Sequence, residues 1–117
     1  MAMDDHTTVA SLRAEVAAFI REREWEPFHD PKNLSMAIAT EAAELMEHFR
    51  WVRSEMAHEH AADPAHHDAI AEELADVVAF VLSFANAANI DIAETLRAKM
   101  KKNALKYPAA QFRGRSG

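Results

Sequence analysis

The segments Glu41-Ala-Ala-Glu44 and Glu73-Leu-Ala-Asp76 each set two carboxylates three residues apart, so on a helix each pair occupies one face. Glu41 falls three residues after Ile38 and four before Leu45; Glu73 falls three after Ile70 and four before Val77. Both interrupt the apolar stripe of an amphipathic helix, whereas surface glutamates belong on the opposite face. Two unit charges about 4 Å apart repel by roughly 4 kcal/mol at an effective dielectric near 20, a sizeable fraction of a domain's stability of about 5–15 kcal/mol. Four such acids facing one another therefore need a cation or added protons. Hard divalent cations take oxygen ligands, which makes Glu41, Glu44, Glu73 and Asp76 candidate metal ligands and candidate catalytic groups. The competing reading sets the same carboxylates at a stripe edge, paired with Lys or Arg.

Two further groups could complete a site. Trp25-Glu-Pro-Phe-His-Asp-Pro-Lys-Asn33 is the densest mixed stretch of the chain. It reads as a loop, where binding residues concentrate. Trp25, Phe28 and His29 can stack on a base, and His29 and Asn33 can hydrogen-bond to one; the alternative is a loop that closes one end of a bundle, with Phe28 as a plug. Lys99, Lys102, Asn103 and Lys106 recur at three- and four-residue steps and share a helix face. Such a ridge is either a solvated surface or, beside a carboxylate metal site, the counter-charge for a polyphosphate.

Four helical segments can position these groups. The first runs from about Thr7 or Thr8 to Arg23, with Val9, Leu12, Val16, Phe19 and Ile20 on one buried face. The second starts near Asn33 as N-cap and runs to about Arg53, carrying Trp51 at its far end. Residues 54–63 read as a loop. Asp63-Pro64 reads as the cap and first turn of a third helix that runs to about Ala88. From Val77 to Phe84 that helix is apolar on nearly every side, so more than one of its faces is expected to be covered, one of them by another subunit. Asp91 to Glu94 reads as a capping box for the fourth helix, which ends before Pro108.

The 117 residues suit a single domain, with its core at about 7–108 and 109–117 a loose tail. Half of the residues are hydrophobic, and the only glycines are Gly114 and Gly117. Few tight hairpins can form, and the abundance of Ala, Leu and Glu favours an all-α fold. The net charge of −6 disfavours a nucleic-acid-binding module. The absence of cysteine excludes disulfides and thiolate metal sites. No apolar run reaches the roughly 18 residues of a membrane span, and charges at Asp4, Asp5, Arg13 and Glu15 break any signal-peptide pattern. A cytoplasmic protein with no membrane partner is expected.

Rival motifs are weaker. His66-His67-Asp68 contains the dipeptide of HD-type phosphohydrolases but lacks clear partner ligands. Glu26-x-x-His29 and Glu55-x-x-His58 have di-iron spacing but fall in or near predicted loops. No glycine-rich phosphate cradle is present. A non-catalytic helical interaction module, docking through the apolar part of the third helix, stays open.

Taken together, Trp25-Glu-x-Phe-His-x-Pro-Lys-Asn-Leu34, Glu41-x-x-Glu44, Trp51, Glu73-x-x-Asp76 and Lys99-x-x-x-Asn103-x-x-Lys106-Tyr107-Pro108 resemble the MazG-like, all-α nucleoside triphosphate pyrophosphohydrolases, most closely those that act on dCTP. The resemblance covers about residues 10–110. It implies a four-helix bundle assembled as a homodimer or a dimer of dimers (homotetramer). It also implies hydrolysis of a (deoxy)nucleoside triphosphate to the monophosphate and pyrophosphate, as nucleotide-pool housecleaning. Carried over, Glu41, Glu44, Glu73 and Asp76 bind Mg²⁺, with Mn²⁺ able to substitute. Trp25, His29 and Trp51 belong to the base and sugar pocket, Lys32, Asn33 and Phe80 are further substrate-binding candidates, and Lys99, Asn103, Lys106 and Tyr107 hold phosphates or sugar. Val16 and Phe80 stand where the dCTP-acting members have a histidine and a tyrosine, so the base, dCTP or a modified pyrimidine nucleotide, is left open.

Overall fold

The computed structural model describes residues 2–115, which are helical with no strand among them. Six α-helices follow one another: α1 Val9–Glu22, α2 Pro31–Glu47, α3 Ala57–Ala62, α4 His67–Ala88, α5 Ile92–Lys106 and α6 Ala109–Phe112. Single 3₁₀ turns lie at Met3–Asp5, Glu26–Phe28 and Ser54–Met56. The four expected segments are α1, α2, α4 and α5, and the two additions are short. α3 occupies part of the expected 54–63 loop. α6 lies in the expected loose tail, whose last two residues, Ser116 and Gly117, fall outside the described residues.

Local chemistry explains most helix ends. The Thr8 hydroxyl accepts from the Ser11 amide at 3.1 Å and caps α1. α2 begins earlier than expected. Asp30, not Asn33, is its cap, accepting from the Asn33 amide at 2.9 Å, and Pro31 takes the first helical position, where its missing N–H costs nothing and its fixed φ suits a helix. α2 also stops earlier than expected, at Glu47 instead of Arg53. The amides of His48, Phe49 and Arg50 turn back to Leu45, Met46 and Glu47, tightening the last turn until the helix cannot continue. Asp63-Pro64 does not start α4 directly: Asp63 Oδ1 accepts from the Ala65 amide at 2.9 Å, and the helix begins at His67. The chain leaves α4 through Asn89 at φ 56°, a left-handed conformation that asparagine tolerates. Asp91 then caps α5 from the Glu94 amide at 2.8 Å, as expected.

α2 lies along α4, and α1 packs on the C-terminal part of α4. The core is narrow: Leu34 of α2 and Leu82, Ser83 and Ala85 of α4 are the buried residues. Arg13 and Asn86 clasp α1 to α4: Arg13 Nε donates to Asn86 Oδ1 at 2.9 Å, Asn86 Nδ2 donates to the Arg13 carbonyl at 3.1 Å, and an Arg13 terminal N–H donates to the Ile90 carbonyl at 2.7 Å. α5 bends away from α4 by 101°, and its start, at Ile92 and Ala93, shares a cleft with Val9, Ala10 and Arg13 of α1.

The chain is open for its size. Its radius of gyration is 17.1 Å, against about 13 Å for a compact chain of this length. It exposes 9433 Å² of surface, against about 6,400 Å² for a compact monomer of this mass. Leu74, Val78 and Val81 form an uncovered apolar stripe on α4, and Leu96, Met100 and Leu105 stand exposed on α5. Among the described residues no single helix is long and apolar enough to cross a membrane.

Asn86→Ala removes two of the three side-chain bonds of the α1–α4 clasp. It is expected to destabilise the protein by about 1–2 kcal/mol in urea unfolding followed by circular dichroism, with the native helical signal retained.

Candidate active site

α2 and α4 bring three of the four acids together. Glu41, Glu73 and Asp76 each offer a carboxylate oxygen, and these atoms lie within 4.8 Å of one another. This is the one group of three such ligands among the described residues. Glu41 and Glu73 are half-buried, whereas Glu44 and Asp76 are exposed. Glu41 Oε2 and Glu73 Oε2 are occluded and have no hydrogen-bond partner. Neither carboxylate forms an ion pair with Lys or Arg; the described ion pairs are Arg23–Glu22 and Arg50–Glu47. The stripe-edge reading therefore fails for Glu41 and Glu73. Two orphaned carboxylate oxygens beside a third acid fit a hard divalent cation, which needs several oxygen ligands and supplies the missing positive charge.

Without a cation the cluster must hold a proton. The Glu73 carboxyl is pushed up to about 7, first by desolvation and then by the neighbouring Glu41 and Glu44 carboxylates. That influence puts Glu44 beside the cluster, at its exposed rim.

Asp76 also borders a cavity of about 520 Å³ between α1, α4 and the turn after α1. Its walls are Val16, Phe19 and Ile20 of α1, Ala79 and Phe80 of α4, and Trp25; Glu15, His29, Asp76 and Ser83 supply the polar atoms. The aromatic rings are ordered. Phe19 meets Trp25 edge-on at 5.9 Å, Trp25 lies parallel to His29 at 6.4 Å, and His29 lies near-parallel to Phe80 at 6.5 Å. His29 Nδ1 bonds the Trp25 carbonyl at 2.9 Å, which fixes the ring. Asp76 thus joins the acid cluster to the aromatic cavity, an arrangement suited to a ligand with an anionic end and a flat end.

Of the other expected site residues, Trp25, His29 and Phe80 line this cavity and the rest do not. Asn33 spends its amide on Asp30 Oδ2 at 3.0 Å and the Phe28 carbonyl at 3.3 Å, holding the 3₁₀ turn on the start of α2. Lys32 is exposed on the first turn of α2. Phe28, 67% exposed, plugs nothing. Trp51 lies beyond the end of α2, 86% exposed, with the Arg50 guanidinium 5.0 Å from its ring. Lys99 and Lys106 are exposed on α5, Asn103 is half-buried, and Tyr107 packs edge-on against Phe112 at 5.2 Å. Within one chain these α5 groups do not border the acid cluster's cavity.

The cavity also holds Glu15, Val16, Phe19, Ile20, Ala79 and Ser83, most of which the helix periodicity assigns only to packing. The signal available for Phe19 was its nearness to Trp25 across the loop. The HD-type motif gathers no comparable ligand set: the His60 and His66 rings stack at 4.3 Å, and His67 Nδ1 bonds the Ala61 carbonyl at 3.0 Å.

A raised acid binds its proton more tightly in the folded state than in the unfolded state. Metal-free protein should therefore lose stability as pH rises from 4.5 through about 7. Thermal unfolding in a chelating buffer between pH 5 and pH 8 is expected to show this decline, and Glu73→Gln is expected to flatten it.

Residues 36–116 match the MazG-like family. The bovine protein named dCTP pyrophosphatase 1 is 35% identical over 107 residues, covering 92% of this chain and 63% of the relative. The human protein of the same name is 34% identical over 109 residues, covering 93% of this chain and 64% of the relative; the chain thus spans less than two thirds of the length of these relatives. The crystal structure of a pyrophosphatase from Archaeoglobus fulgidus DSM 4304 superimposes with a TM-score of 0.81 at 36% identity, over 88% of this chain and 94% of that one. With its acid cluster and its all-helical architecture, the chain belongs to the MazG-like family.

Proposed function

We propose that the protein is a Mg²⁺-dependent nucleoside triphosphate pyrophosphohydrolase, converting a (deoxy)nucleoside triphosphate to its monophosphate and pyrophosphate in the cytoplasmic nucleotide pool. One observation carries this reading: Glu41, Glu73 and Asp76 converge, and Asp76 also lines an aromatic cavity large enough for a nucleoside. The names of the relatives support a pyrophosphatase and favour dCTP as its substrate; a modified pyrimidine nucleotide is the alternative. The cavity carries Val16 and Phe80 as apolar wall, so its selectivity must come from other groups.

Glu41, Glu73 and Asp76 would hold the cation, with Glu44 at the rim. When bound, Mg²⁺, or Mn²⁺ in its place, offsets the charge that develops on the triphosphate oxygens. The Trp25, His29 and Phe80 rings hold the base and sugar, which fixes the α-phosphorus beside the acids. Glu44 takes a proton from the attacking water as the new P–O bond forms and the bond to the bridging oxygen breaks. Pyrophosphate leaves with the electron pair of that bond. Exposed and next to Glu73, Glu44 is the acid best placed to exchange protons with solvent.

We infer that the site is completed across subunits of a homodimer or dimer of dimers. α5 stands away from its own bundle, and its lysines face solvent. The bare stripes Leu74–Val78–Val81 and Leu96–Met100 give a second copy an apolar surface to cover. Packing there would carry Lys99, Asn103, Lys106 and Tyr107 toward the triphosphate of a neighbouring site. Trp51, Lys32 and Asn33 would likewise meet substrate only across such a boundary. The same stripes are what a non-catalytic docking module would use, and the product assay separates the two readings.

A panel of nucleoside triphosphates with Mg²⁺ is expected to yield pyrophosphate, not single phosphate. Glu41→Ala or Asp76→Ala is expected to abolish turnover with the helical circular dichroism retained; full activity in either variant would remove the metal assignment. Light scattering is expected to give two or four chains per particle. Met100→Asp is expected to shift the population toward single chains and to lower activity in parallel.

A further inference from the structure

The α4 face that carries Glu73 and Asp76 continues through Ala79 and Phe80 to Ser83 at three- and four-residue steps. Ser83 is 7% exposed and is the one polar residue in the buried core among the described residues. A hydroxyl inside a helix ordinarily donates back to a carbonyl one turn earlier. Other hydroxyls here do so: Ser11 to the Thr8 carbonyl at 2.8 Å, Ser35 to the Lys32 carbonyl at 2.7 Å and Thr40 to the Met36 carbonyl at 2.9 Å. The Ser83 hydroxyl makes no such bond and has no other protein partner among the described residues. It borders both the 520 Å³ cavity and a neighbouring one of about 290 Å³, which share Ile20, His29 and Ser83. The occluded unpaired oxygens are those of Glu41 and Glu73; the Ser83 hydroxyl, with no protein partner, opens instead onto these two cavities, where a ligand can reach it.

Its position suits one kind of partner. Seven helical residues set Ser83 about 10 Å along α4 from Asp76, comparable to the span from a nucleotide's α-phosphate to the far edge of its base. Between the two lie Val16, Phe19, Ala79 and Phe80, which offer the flat faces of a base only apolar contact. We propose that Ser83 is a specificity-determining residue of this cavity, its hydroxyl hydrogen-bonding the polar edge of the nucleobase whose phosphates lie at the Glu41–Glu73–Asp76 cluster. The assignment rests on the nucleotide reading above. A hydroxyl both donates and accepts, so it satisfies a ring nitrogen, a carbonyl or an amino group. What it rejects is a base with no such edge, because the serine is then left buried and unpaired.

The test is calorimetric binding of 2′-deoxynucleoside monophosphates to the full chain without metal. Each natural base is compared with an apolar isostere such as the difluorotoluene analogue of thymine. Wild type is expected to bind at least one natural base about tenfold more tightly than its isostere. Ser83→Ala, a substitution that helices favour, is expected to bind both alike, and Ser83→Thr is expected to restore the difference. In turnover, Ser83→Ala is expected to raise KM with kcat at saturation retained. A wild type that does not discriminate, or a Ser83→Ala variant that keeps the wild-type ratio, overturns the assignment. Discrimination without pyrophosphate release overturns the hydrolase reading and leaves Ser83 in place; turnover without a Ser83 effect overturns only Ser83.

Discussion

Two carboxylate oxygens, one on Glu41 and one on Glu73, are shut away from water with nothing donating to them. Burying charge without a partner is among the most costly things a fold can do, and here a third acid stands within 4.8 Å. The α2–α4 interface holds together only if a proton or a cation lies among these groups. The proton solution is visible in the Glu73 carboxyl, pushed up to about 7. The cation solution replaces that proton and frees the acids for chemistry. The geometry of the site follows from this one constraint, because the acids sit on the seam between the two helices that form the core.

α4 is the organising element. Its single face runs from the acids, past an apolar stretch, to a lone buried hydroxyl, and so presents charge, flat apolar wall and hydrogen-bonding group in the order in which a nucleotide presents phosphate, base face and base edge. α1 and the turn after it close the other side of the cavity with Phe19, Trp25 and His29. The opposite face of α4 is apolar and uncovered, and α5 leans away from the bundle. A chain with 9433 Å² of exposed surface has a core too slight for its length.

Much of this was legible in the sequence because it rests on local spacing. Glu41 and Glu73 betrayed themselves by breaking an apolar stripe, and the cap at Asp91 follows ordinary helix-end chemistry. The errors have local causes too. α2 ends without a glycine or proline to mark the place, so Trp51 was assigned to a helix it does not join. Asp63-Pro64 carries the signature of a helix start, yet the aspartate bonds the Ala65 amide and spends its side chain on a turn. Asn33 looked like a cap because Asp30, three residues earlier, has the same chemistry. Ser83 is hidden inside the Val77–Phe84 run, whose other residues are apolar, and only the structure places it on two cavities. The lysines of α5 are legible as a ridge, but periodicity does not encode the 101° bend between α4 and α5, and within one chain they do not border the cavity beside the acids.

A divalent cation at Glu41, Glu73 and Asp76 is expected to displace the proton that the Glu73 carboxyl holds. The most direct measurement is the proton balance of Mg²⁺ binding, obtained by calorimetry in buffers of different ionisation enthalpy. With the Glu73 carboxyl at about 7, binding at pH 6 should release close to one proton per chain, and the release should fade above pH 8. Binding at pH 6 with no proton released, or no Mg²⁺ binding at all, would contradict the account.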